Sequence, residues 1–92
     1  MKAKMQKVLR TGRVLESLQA HGLTLGLVTR AKASYTHRFT QLEVAGDTYP
    51  IKATLKALGF HWNPTYKVWA IREKPFAIDQ TEIAANILRE VA

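Results

Sequence analysis

The chain has no cysteine. Disulfides, thiolate metal sites and cysteine nucleophiles are therefore excluded, and nothing ties the protein to an oxidising compartment. Long hydrophobic runs are missing too, and none approaches the roughly 20 residues of a membrane-spanning helix. The basic start MKAKMQKVLR is not followed by a continuous apolar segment, so it does not read as a signal peptide. A cytoplasmic protein without a membrane partner is the expectation. Acidic residues are scarce, 7 against 14 Lys and Arg. They are scattered, with no D-x-D pair of the kind metal nucleases use, and His21, His37 and His61 lack metal-ligand spacing. Gly-rich phosphate loops, a Walker-type lysine and G-x-S-x-G are absent. No catalytic residue, metal or cofactor is indicated, and an enzyme is not expected.

What is present is a basic, globular composition. The 92 residues make one small domain, 1–92, with 47% hydrophobic and 23% charged residues. The net charge is +7 and it is unevenly placed. Residues 1–38 hold eight Lys and Arg against the single acid Glu16, whereas residues 39–92 hold six of each sign. Localised positive charge with a pI near 10.1 favours a polyanionic partner, nucleic acid before an anionic membrane surface. The plain alternative is a solvated surface.

Periodicity predicts an α+β fold in the order α-ββ-α-ββ-α, with three helices and a four-stranded, mainly antiparallel sheet. Residues 4–20 have helical spacing and stop at His21-Gly22. Gly12 weakens the middle, so a helix starting at Thr11 would leave residues 1–10 as a basic arm. Residues 23–30 alternate, with Leu23, Leu25 and Leu27 on one face and Arg30 on the other. After a polar loop, 31–36, the stretch His37 to Ala45 sets Leu42 and Val44 against Phe39, Gln41 and Glu43. The segment ATLKALG is a short helix ending at Gly59. In the last helix Asp79 is an N-cap with Glu82 completing a capping box, and Ile78 staples to Ile83. Ile83, Ile87, Leu88 and Val91 form its apolar stripe.

Residues 48–72 are the densest in chemistry, holding both tryptophans and two of the three tyrosines. A four-residue connection Asn63–Tyr66 would pair Trp62 with Lys67, His61 with Val68 and Phe60 with Trp69. Phe60, Trp69 and Ile71 then read as core. Trp62 and Tyr66 lie nearer the turn, and Trp62 serves either as core or as a platform for a base, with Lys67 beside it. Flat rings beside cations are the means by which proteins hold unpaired bases and their phosphates. The same pattern recurs where Tyr35 sits among Arg30, Lys32 and Arg38, close to Phe39. Lys52 and Lys56, four apart on one helix, have the spacing for successive phosphates and equally that of a solvated face.

Over residues 49–71 the pattern Y-P-I-K-x-x-L-K-x-L-G-F-x-W-N-P-x-x-K-x-W-x-I resembles a small Trp-containing module attached to phage- and plasmid-borne primases, helicases and DNA-transfer proteins. Leu58-Gly59, Trp62, Lys67 and Trp69 carry the likeness. A looser similarity, in the K-x-W ending alone, is to the annealing-helicase accessory domain. The resemblance implies company with DNA-processing machinery. Together with the charge it gives the expected function: sequence-tolerant nucleic-acid binding, single-stranded DNA before RNA, in phage, plasmid or bacterial DNA metabolism. Arg30, Lys32, Tyr35, Arg38, Phe39, Lys52, Lys56, Trp62, Tyr66 and Lys67 are the candidate binding residues. The rival expectation is an adaptor or inhibitor docking on a replication or repair enzyme, and a homodimer is compatible with either.

Overall fold

Alternation of leucine with threonine and glycine at residues 23–27 builds one edge of a four-stranded antiparallel sheet. The computed structural model describes residues 12–31 and 37–91. Residues 12–20 are helical (α1), followed by strands β1 (Leu23–Ala31) and β2 (Arg38–Gly46). A 3-10 turn at Tyr49–Ile51 leads into helix α2 (Lys52–Ala57), then strands β3 (His61–Asn63) and β4 (Val68–Ile71). A second 3-10 turn, Pro75–Ala77, precedes helix α3 (Gln80–Val91). The fold is α+β in the expected order, and the spatial strand order is β1-β2-β4-β3.

The helices lie together on the leucine face. Leu18 of α1, Leu55 of α2, and Ala84 and Ile87 of α3 close over Leu23, Leu25, Leu42, Val44, Phe60 and Trp69. Burying side chains of this size stabilises by about 1.5–3 kcal/mol each. Helix ends are set by local chemistry. The amides of Gly59 and Phe60 donate to the carbonyls of Lys56 and Leu55, a Schellman closure that stacks Phe60 on the helix it terminates. Asp79 Oδ1 accepts from the amides of Thr81 and Glu82 at 3.0 and 3.3 Å, capping α3 as its sequence predicts. Gly46 is obligatory: φ is +104°, and a Cβ there would stand 1.9 Å from the Gly22 carbonyl oxygen.

The other face is closed differently. The β1–β2 register sets Arg30 opposite Phe39, four residues along β2 from Glu43 and so roughly 13 Å away in a flat sheet. Yet the Arg30 guanidinium donates to both Glu43 carboxylate oxygens at 3.0 and 2.7 Å. Tyr66, in the β3–β4 turn that the β2–β4 register places beyond Gly46, brings its hydroxyl to 3.5 Å from the Ala31 carbonyl. Both distances require the distal half of the β1–β2 hairpin to curl over the helix-free face. On the convex side Thr29 and Thr40 share a hydroxyl hydrogen bond of 2.9 Å, and Leu27 is partly exposed.

The Trp hairpin corrects the sequence-based register by two residues. Trp62 faces Trp69, His61 faces Ala70 and Asn63 faces Val68, so Lys67 is not beside Trp62. Asn63 is the cause. Its Oδ1 accepts from the amides of Thr65 and Tyr66, which keeps Asn63 in the strand and makes Pro64–Lys67 the loop. Lys67 closes that loop in the left-handed region, φ 55°. The shift is even, so Phe60, Trp62, Trp69 and Ile71 keep the shared face expected of them.

Candidate functional site

Between the curled hairpin and edge strand β3 lies a pocket of about 320 Å³. Gln41 and Ala70, both buried, form its base, and Phe39 and Arg72 stand along one side. His61 and Asn63 come from the edge strand, with Trp62 and Pro64 at the margin. The Arg72 guanidinium lies over the Phe39 ring, 4.1 Å from its centroid. Stacking of that kind leaves the N–H groups, which lie in the guanidinium plane, free to donate sideways. Trp62 is 47% exposed, while its cross-strand partner Trp69 is 6% exposed. Their centroids are 5.6 Å apart with the planes at 59°, so the buried ring props the exposed one. Trp69 is core, as expected, and its indole N–H donates to Thr48 Oγ1 at 3.2 Å.

Beside the pocket is a polar cluster that holds the hairpin down. Glu43 is 5% exposed and accepts from Arg30 and, at 2.7 Å, from Gln41 Nε2. Burial drives its carboxyl pKa upward, but hydrogen bonds from Arg30 and Gln41 and the guanidinium charge outweigh that and hold it below the ordinary value. The same pair raises the Arg30 pKa, chiefly through the hydrogen bond to Glu43. Arg30 also stacks on Tyr66, 4.2 Å from the ring centroid. Both Arg30 and Tyr66, expected among the binding residues, are therefore committed to a latch on the helix-free face.

The remaining expected residues scatter. Phe39 and Trp62 are at the pocket, and Arg38 is exposed at the start of β2. Lys67 is exposed in the β3–β4 turn. Lys52 and Lys56 belong to α2, on the helix side, where Lys52 lies 4.3 Å from the Tyr49 ring centroid. Lys32 and Tyr35, like the basic residues 1–10, fall outside the described residues. Arg72, His61, Asn63 and Gln41 are pocket residues that the sequence pattern alone does not mark. The signal available was modest: His61 and Arg72 share a strand face, and Phe39 and Gln41 share another, but only the β2–β4 pairing joins the two.

Comparison with family models, with curated proteins and with solved structures finds no match to this chain. Among the described residues no cluster of three His, Asp or Glu side chains is arranged to hold a metal ion. Among the same residues no helix is long and apolar enough to cross a membrane.

Proposed function

We propose that this protein binds single-stranded nucleic acid, DNA before RNA, with little dependence on overall sequence. The observation that carries the reading is the pocket in which Arg72 lies flat on Phe39 beside the half-exposed Trp62. The Arg72 guanidinium, steadied on Phe39, can donate in its plane to the edge of an unpaired base. The half-exposed Trp62 ring on the opposite face of edge strand β3 can stack a neighbouring base, and the strand's phosphates meet a chain of net charge +7. Paired DNA cannot offer a base to such a pocket without unstacking it. The motif over residues 49–71, which includes Trp62, Asn63 and Pro64, supports placing this binding in phage, plasmid or bacterial DNA metabolism, in the cytoplasm. The adaptor reading draws its support from Tyr49 and Phe76, exposed by 76% and 75% and not part of this pocket.

Titration with labelled single- and double-stranded oligonucleotides, read by anisotropy and tryptophan fluorescence, tests the proposal. Single strands should bind more tightly and quench the fluorescence. The slope of log affinity against log salt should be about −0.7 per neutralised phosphate. Trp62→Ala should cost about 1–3 kcal/mol of single-strand affinity. Absence of binding to either form, or a duplex preference without quenching, contradicts the proposal.

A further inference from the structure

The side chains at the pocket are unequal in hydrogen-bonding sense. Asn63 Oδ1 is already held by two backbone amides, so the Nδ2 donors are what Asn63 has left for a ligand. Arg72 carries donors only, and among the described residues it makes no ion pair. His61 is exposed and can either donate or accept, so the bias rests on Arg72 and Asn63. With Asn63 Oδ1 already held, the side-chain carbonyl left at the pocket is that of Gln41, at the base in a residue only 2% exposed. The volume of about 320 Å³ is at the lower end for ligand sites, enough for one nucleotide unit and too small for two stacked ones.

From this we infer that the pocket grades the base it holds, preferring keto bases (thymine, uracil, guanine) to amino bases (cytosine, adenine). The inference rests on the single-strand reading above and deepens it at one position of an otherwise tolerant contact. The chemistry is direct. Thymine O4 and the guanine O6/N7 edge present acceptors, which Arg72 and Asn63 can satisfy. Cytosine and adenine present an exocyclic amino group at the same place, which would face donor N–H groups and lose its hydrogen bonds to water without replacement. Asn63 is thus both the residue that sets the turn and a specificity determinant.

The experiment compares homothymidine with homocytidine, and deoxyinosine with deoxyadenosine, in labelled oligonucleotides of equal length. Inosine keeps the O6/N7 edge while avoiding guanine self-association. The keto strand of each pair should bind about fivefold more tightly, the lower end of what one good base-edge contact brings. Asn63→Asp keeps an oxygen acceptor for the Thr65 and Tyr66 amides and removes the donors, so the ratio should fall towards unity. Should that variant fail to fold, Arg72→Lys, which loses the planar fork, should reduce the inosine-to-adenosine ratio instead. Thymidine monophosphate should compete far more weakly than the oligonucleotide; equal potency would make a free nucleotide the ligand and overturn the strand assignment. Equal affinity for keto and amino strands, or a ratio unchanged in both variants, overturns the base preference alone. Failure of every oligonucleotide to bind overturns the single-strand reading with it.

Discussion

The two faces of the sheet are closed by opposite means. On one, three helices seal an aliphatic and aromatic core, and Trp69 is locked there by packing and by Thr48. On the other, the sheet's own hairpin folds over and is held by an ion pair, an amide and a stacked tyrosine. The first closure is non-directional and gains in proportion to area; the second depends on a few atoms in register. Trp62 and Trp69 share the helix face as a cross-strand pair, yet one ring is buried and its neighbour, on the edge strand, is left half-exposed at the margin of the pocket. The comparison teaches that a residue's type says less about its role than the covering it receives.

The largest effect should come from breaking the helix face. Trp69→Ala should lose about 3–5 kcal/mol, as for other buried large aromatics, which is much of the stability of so small a domain. Thermal or urea unfolding measures it, and a midpoint close to the parent's would show the ring is not core.

The hairpin face should break more gently and with a pH signature. Arg30→Ala leaves Glu43 without its counter-charge, and about 2–3 kcal/mol is expected, less than the 3–5 of a fully buried pair because Arg30 is partly exposed. The carboxyl pKa of Glu43 is lowered in the folded protein. Its contribution is therefore fully present above the unfolded value near pH 4.3, and is lost as pH falls through the lower folded value. Urea midpoints across that acid range should drop for the parent and drop less for Glu43→Gln. Equal acid sensitivity in both would remove the latch from the account.

The difference between the faces also explains what was legible in the residue order. The helix face is written in local periodicity: Leu23, Leu25, Leu42, Val44 and the stripe from Ile83 to Val91 take the sides that alternation and helical spacing assign them. Asp79 capped α3 as its spacing with Glu82 suggests. The hairpin face rests on non-local pairings, β2 with β4 and Arg30 with Glu43 thirteen residues on, which no local pattern encodes. Arg30 looked like a free cation at a strand end because Glu43 stands four residues from its register partner. The Trp turn slipped because Asn63 acts through its side-chain oxygen rather than as a loop residue. Arg72 follows directly on β4, and only the β2–β4 pairing sets it beside Phe39. The pocket was thus half legible: its aromatic residues were readable, and most of its donors were not.

The strand is received at the hairpin-covered pocket and the edge strand β3 beside it, not along the α2 lysines. The direct measurement is single-strand affinity, in one buffer, of Arg72→Ala against the double change Lys52→Ala with Lys56→Ala. Both variants lie on exposed side chains and should fold. Arg72→Ala should lose roughly tenfold, within the range of one good base-edge contact, and the lysine pair, which contributes only diffuse charge, less than about threefold. A large loss with the lysine pair and none with Arg72→Ala would place the strand along the α2 lysines and contradict this assignment.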